Sequence, residues 1–187
     1  MKKGGSNRKG HAFENMIAKR LSLWWTDDER DDVFIRSDSS GARATARSKV
    51  GKKQFGQYGD LQAADPIGQP LMDLCVIECK DGYAGHSIAD LLDKLPRHKP
   101  KYEEFIEQAE ASMEAADGEY WILIARRRGR QIMVYMPVGL WDTIVDDFRS
   151  NLEGVSHIHL TVYDPDLDFV GLAFNDFLKH MPPECIP

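Results

Sequence analysis

Leu74-Cys75-Val76-Ile77-Glu78-Cys79-Lys80 is an apolar run that ends in two ionisable side chains. Turn-forming residues bound it, Asp65-Pro66-Ile67-Gly68-Gln69-Pro70 upstream and Asp81-Gly82 downstream, so it reads as a short buried strand. Period-two alternation puts Glu78 and Lys80 on one face and Cys79 on the other. A carboxylate and an ammonium then project side by side from an otherwise apolar strand.

Upstream, Tyr58-Gly59-Asp60-Leu61-Gln62-Ala63-Ala64 is a second strand-like run. If the two runs pair as an antiparallel hairpin about the Pro66 to Pro70 turn, Asp60 and Glu78 stand at mirror positions. Their Cβ atoms would then be roughly 4.5–5.5 Å apart. Two carboxylates that close repel unless a proton or a cation lies between them. A hard divalent ion suits the gap: Mg²⁺ takes one or two carboxylates with waters and phosphate oxygens, and the main-chain carbonyl of Cys79 can add a ligand. Protonated Lys80 cannot ligate, but it suits orienting an attacking hydroxide or offsetting charge on a pentacovalent phosphorus. That division of labour is phosphodiester hydrolysis. The plain alternative for a lone Glu-x-Lys is a solvated strand terminus, and the mirror position of Asp60 weighs against it.

The chain of 187 residues suits one domain with a real core: a flexible basic arm over residues 1–10, then a single domain over residues 11–187 with a C-terminal extension. No apolar run approaches the roughly 20 residues that cross a bilayer, and Met1 to Ser6 leads into no apolar signal-peptide core. A cytoplasmic protein without membrane contact is the expectation. Cys75, Cys79 and Cys185 cannot all pair with one another and show no zinc-binding spacing, so they read as small buried hydrophobes. The net charge of −6 is unevenly spread. Residues 1–58 carry 13 Lys/Arg against 7 Asp/Glu, and residues 59–187 carry 11 against 23. A local anion-binding region on an acidic body follows.

Phe13, Met16, Ile17, Leu21 and Trp24 recur at helical spacing over residues 11–25, with Glu14 beside that stripe and His11 close to Glu14 in sequence. A first-turn Glu complements the helix dipole, and at the edge of a buried face it can also reach a metal site. Val33 to Arg36 reads as the first strand. Residues 37–58 form a long loop whose cations Arg43, Arg47, Lys49, Lys52 and Lys53 suit phosphate contacts, or else only solvate it. Ala84 to Leu95 reads as a short helix or loop, Tyr102 to Ala116 as a helix carrying Gln108, which could face a phosphate as an auxiliary residue. Strands follow at residues 120–125 and 131–136, joined by a tip of Arg126, Arg127, Arg128, Gly129 and Arg130 that either reaches phosphate or solubilises the turn. Leu140 to Phe148 is amphipathic, Val155 to Tyr163 strand-like, and Val170 to Leu178 a partly apolar acidic element.

The order helix with Glu14, strand, loop, strand with Asp60, strand with Glu78 and Lys80, helix, strand resembles the PD-(D/E)XK nuclease superfamily. Arg8-Lys9-Gly10 with Phe13-Glu14, Phe34-Ile35-Arg36-Ser37 with Ser39-Ser40-Gly41, Asp60-Leu61 and Glu78-Cys79-Lys80 are similar to the archaeal-type Holliday junction resolvases over residues 8–126. The resemblance implies an α/β, restriction-endonuclease-like fold with a central mixed β-sheet flanked by helices. It implies Glu14, Asp60 and Glu78 as acidic metal-site residues, Lys80 as the catalytic lysine, and Arg36 with Ser40 near the scissile phosphate. It further implies Mg²⁺ or Mn²⁺ and a homodimer that cuts a four-way junction symmetrically. A structure-nonspecific, nicking or restriction-type endonuclease shares the same site, and a DNA-binding module that has lost turnover is the reading from outside enzymology. The joint presence of three acidic positions and Lys80 speaks against the last.

Overall fold

The computed structural model describes residues 5–37, 58–94, 98–148, 152–163 and 165–186. Helix α1 spans Gly5–Trp25 and buries Phe13, Ile17, Leu21 and Trp24 of the stripe read from the sequence, with Ala18 beside them, while Met16 is only partly buried. It stops where Asp27 and Asp28 turn left-handed, at φ 50° and 65°, and the Asp28 N–H closes on the Leu23 carbonyl at 2.8 Å. At its other end the helix takes in Gly5 to Gly10, so six residues of the expected flexible arm are helical. Extension of an anchored helix adds one backbone bond per residue fixed, and needs no apolar stripe.

Strands β1 (Phe34–Arg36) and β2 (Leu61–Ala63) pair antiparallel with each other, Arg36 opposite Leu61, as a separate ribbon. The expected hairpin between the Asp60 and Glu78 runs does not form. Residues Pro66–Gly68 make a 3₁₀ turn, and Gln69–Leu74 a short helix, α2. The turn signals are helix-start signals here. The Asp65 side chain accepts the Ile67 N–H at 3.0 Å, and prolines occupy the first turns, where a missing N–H costs nothing.

Strand β3 (Cys75–Gly82) follows, then a 3₁₀ turn at Ile88–Leu91, helix α3 (Lys101–Ala116), strands β4 (Tyr120–Arg127) and β5 (Ile132–Pro137), helix α4 (Val138–Phe148), strands β6 (His157–Tyr163) and β7 (Asp166–Ala173), helix α5 (Phe174–His180) and a last 3₁₀ turn at Pro183–Cys185. One mixed sheet runs β3-β4-β5-β7-β6, with β3 parallel to β4 and the other neighbours antiparallel. β3 is thus an edge of the sheet rather than its centre. The C-terminal residues, expected as an extension, supply β6 and β7 of this same sheet, so they complete the core.

Alternation along the strands divides the interior in two. Cys75, Ile77 and Cys79 of β3, with Ile122 and Ile124 of β4, pack with α1, α4 and α5. Trp121, Leu123 and Ala125 face the other way onto Tyr102, Phe105, Ile106 and Ala109 of α3. Each fully buried Leu, Ile or Phe contributes about 1.5–3 kcal/mol relative to exposure. The three cysteines are free and buried, and burial, with a smaller contribution from Glu119, pushes the Cys75 thiol up to about 12. Among the described residues no helix is long and apolar enough to cross a membrane.

Candidate active site

Because β3 lies between α3 on one face and α1 on the other, its alternation sorts the chemistry. Glu78 projects toward α3 and is 2% exposed. Its Oε2 accepts from Lys80 Nζ at 2.7 Å and from Gln108 Nε2 at 3.0 Å, and its Oε1 accepts from Ser112 Oγ at 3.0 Å. Gln108 and Ser112 are four residues apart, hence on one face of α3. Three donors compensate a carboxylate that burial would otherwise make costly. Burial still pushes the Glu78 pKa up, and the Lys80 charge only partly offsets it. For Lys80, burial pulls the other way, but attraction from Glu78 and Asp60 outweighs it and the ammonium is held charged above its ordinary value.

Asp60 reaches this site without a hairpin. Its N–H donates to the Ile77 carbonyl at 2.8 Å, its carbonyl accepts from the Ser37 N–H at 2.8 Å, and its Oδ2 accepts from the Cys79 N–H at 2.8 Å. The residue just before β2 therefore docks on the open edge of β3. Gly59 permits the approach: it sits at φ 79°, and a Cβ there would lie 2.7 Å from the Ile77 carbonyl oxygen. The Asp60 Oδ2 lies 3.9 Å from Lys80 Nζ, so both carboxylates flank one ammonium. The Cys79 carbonyl leaves the strand on the same side as its N–H, toward Asp60.

Glu14 approaches from α1 and is 9% exposed. Its Oε2 is buried with no hydrogen-bond partner among the described residues, and Arg36 Nη1 of β1 stands 3.9 Å away. Burial raises its pKa first and Asp60 raises it further, while His11, Arg36 and Lys80 oppose them more weakly. Glu14 thus shares an electrostatic field with Asp60 and Lys80 although it sits on another element.

Of the remaining sequence-predicted residues Gln108 joins the site, and the others among the described residues do not gather with it. Gln108 faces Glu78 rather than open space. Arg126 lies within β4, not on the turn; it forks onto Asp81 at 2.8 and 3.0 Å and stacks over Phe13, 4.6 Å from the ring centroid. In the register of the sheet Arg126 is opposite Asp81, which the sequence pattern had reduced to a turn residue. Arg127 also belongs to β4, and its charge acts on Tyr102 and Tyr135 on the α3 side. Ser40, Arg43, Arg47, Lys52 and Lys53 lie outside the described residues. Ser112 and Gly59 were missed as site residues. The i,i+4 spacing from Gln108 was the signal for Ser112; nothing local signalled the approach made at Gly59.

No three His, Cys, Asp or Glu side chains among the described residues form a ready-made metal cage. A Mg²⁺-type ion does not need one, since it is typically held by one or two carboxylates with waters and substrate oxygens. The donor set fits that chemistry: Asp60 and Glu78 flank Lys80, and the Oε2 of Glu14 is a buried oxygen without a hydrogen bond among the described residues, with the Arg36 guanidinium 3.9 Å away.

With this geometry in view, comparison with protein families matches residues 5–186 to the one described as phage putative PDDEXK endonuclease. The chain belongs to this family. It is therefore a nuclease of the PD-(D/E)XK superfamily, and its mixed five-stranded sheet flanked by helices is the restriction-endonuclease-like α/β fold. The match extends through β6, β7 and α5, so the family includes the C-terminal strands as part of its fold. No curated protein and no solved structure matches the chain.

Proposed function

We propose that this PD-(D/E)XK nuclease is a metal-dependent, cytoplasmic endodeoxyribonuclease that hydrolyses phosphodiesters of branched DNA as a homodimer, in the manner of a junction resolvase. The observation that carries the reading is the Lys80 ammonium lying between two buried carboxylates, 2.7 Å from Glu78 and 3.9 Å from Asp60. Asp60 and Glu78, with the Cys79 carbonyl and Glu14, would hold Mg²⁺ or Mn²⁺. Such an ion, when bound, polarises a phosphate oxygen and acidifies water.

The chain's own groups do the rest. Lys80, held charged, offers its N–H donors to the oxygens that gain negative charge as water adds to phosphorus and the bond to the leaving oxygen breaks. Gln108 and Ser112 fix the rotamer of Glu78, and the Cys79 N–H fixes that of Asp60. Arg36 stands beside Glu14 where it can face the scissile phosphate. The segment bearing Ser40, Arg43, Arg47, Lys52 and Lys53 leaves from Ser37 and returns at Tyr58, and the Ser37 N–H is bonded to Asp60. Both ends of that segment are therefore tied to the site, which supports its cations as phosphate contacts. Arg127 could add one; Arg126 would first have to release Asp81.

The test compares cleavage of a four-way junction, a Y-fork, linear duplex and single-stranded DNA at one salt concentration, with and without Mg²⁺. Wild type should nick the junction in symmetric pairs, and Asp60→Ala and Lys80→Ala should each slow cleavage by roughly 10²–10³-fold while still binding DNA. Equal cutting of linear duplex would replace the resolvase reading with a structure-nonspecific or restriction-type one. Binding without cleavage by wild type would leave only a DNA-binding module.

A further inference from the structure

Next to Lys80 the site passes into an aromatic strip that hydrolysis does not use. Phe105 of α3 lies beneath it, buried, with Lys80 Nζ 5.8 Å from its ring centroid. Tyr83 packs on Phe105 edge to face, the centroids 4.8 Å apart and the planes at 71°. Tyr83 immediately follows β3, and two features set it apart. It is 42% exposed despite that packing, and its φ of 42° is in the left-handed region that a side-chain-bearing residue seldom adopts. Lys101, from the first turn of α3, stands 5.9 Å from the Tyr83 centroid and 5.5 Å from that of Phe105 while pairing with Glu104.

We infer that Tyr83 is a nucleobase-stacking site for one unpaired base of the DNA strand whose phosphate is presented to Lys80. The inference rests on the nuclease reading and assigns its branched-DNA preference to a residue. Only two ring contacts, of 5.8 and 4.8 Å, lead from the Lys80 ammonium to the Tyr83 ring, so a base on Tyr83 belongs to a nucleotide near the attacked phosphate. The surroundings favour a ring over a phosphate as the ligand. Glu103, Glu104 and Glu107 share the first turns of α3 with Lys101, and both Lys99 and Lys101 are paired to them. A platform among acidic residues attracts through its π face and not through net charge. A base within intact duplex is already stacked on its neighbours, whereas one at a branch, flap or frayed end has a free face, and aromatic stacking takes any base. The site therefore selects DNA by the availability of an unpaired base.

The experiment uses the full chain with Ca²⁺ in place of Mg²⁺ and a Y-fork carrying 2-aminopurine at the first unpaired position, followed by Mg²⁺-supported cleavage of that fork and of linear duplex. Stacking on Tyr83 should quench the probe with wild type, Tyr83→Phe and Tyr83→Trp, and not with Tyr83→Ala. The ratio of fork to duplex cleavage should fall about tenfold or more in Tyr83→Ala, matching the loss of one base–aromatic stack, and persist in Tyr83→Phe. Equal quenching by wild type and Tyr83→Ala, no quenching by wild type, or loss of the ratio in Tyr83→Phe would overturn the inference. A wild type that quenches but cuts no DNA would retain the stacking site and remove the hydrolytic reading, so the two failures are distinct.

Discussion

Glu14 and Glu78 are the residues at which the proposed function opposes stability. Burial raises both carboxyl pKa values, and for Glu14 the neighbouring Asp60 adds to the effect. A carboxyl whose folded-state pKa lies above its unfolded value, here near 4.5, releases its proton more readily once the chain unfolds. The stability it contributes is fully present below that unfolded value and is lost as pH rises through the raised one. The contribution of these two carboxyls to the stability of the metal-free protein should accordingly fall as pH is raised above 4.5. Glu14→Gln removes one of the two charges. It should flatten that decline and raise the melting temperature at pH 8 by about 2–4 °C, the equivalent of about 1 kcal/mol for a chain of this size, while lowering cleavage. Thermal melts in EDTA across that pH range check it, and parallel curves for the two proteins would show that Glu14 is not the strained group.

At the scale of elements, α3 is the brace of the site. It packs Phe105, Ile106 and Ala109 on the sheet and from the same helix sends Gln108 and Ser112 to Glu78. Ser112→Ala and Gln108→Ala each delete one donor to a buried carboxylate and should cost about 1–3 kcal/mol of stability. The double variant should lose less than the sum of the singles, because both donors serve the same group. Urea unfolding midpoints measure the coupling; strict additivity would mean that the two donors act on Glu78 independently. β4 makes a second brace. Arg126 joins Asp81 at the end of β3 and stacks on Phe13 of α1, so one side chain ties the site strand to both the sheet and the helix that carries Glu14.

At the scale of the whole molecule, charge and site are separated along the chain. Residues 1–58 are net basic and the rest net acidic; residues 5–37 carry six Lys/Arg against six Asp/Glu, so the basic excess belongs to residues 1–4 and to the segment between Ser37 and Tyr58. DNA should be drawn to that segment and repelled by the acidic remainder. Arg43→Ala with Arg47→Ala should weaken junction binding and reduce the slope of log affinity against log salt by roughly two, about one counterion per lost phosphate contact. Filter binding in Ca²⁺ over a series of salt concentrations reads the slope, and an unchanged value would make residues 37–58 a spacer.

How far the sequence reached depends on whether a feature is local. The alternation of β3 separated Glu78 and Lys80 from Cys79, and the helical stripes marked α1 and α3, since backbone geometry alone sets periods of two and 3.6. Those periods determined that Glu78 and Lys80 share a face and that Gln108 and Ser112 lie along one side of a helix. Tertiary structure decided the rest. Asp60 reaches Lys80 by docking on the edge of β3 through the Ile77 carbonyl and the Cys79 N–H, the C-terminal strands enter the same sheet, and Arg126 turns inward to Asp81. Closing one loop rather than another changes chain entropy only slowly with length, so the choice of partner falls to packing between residues far apart in the chain.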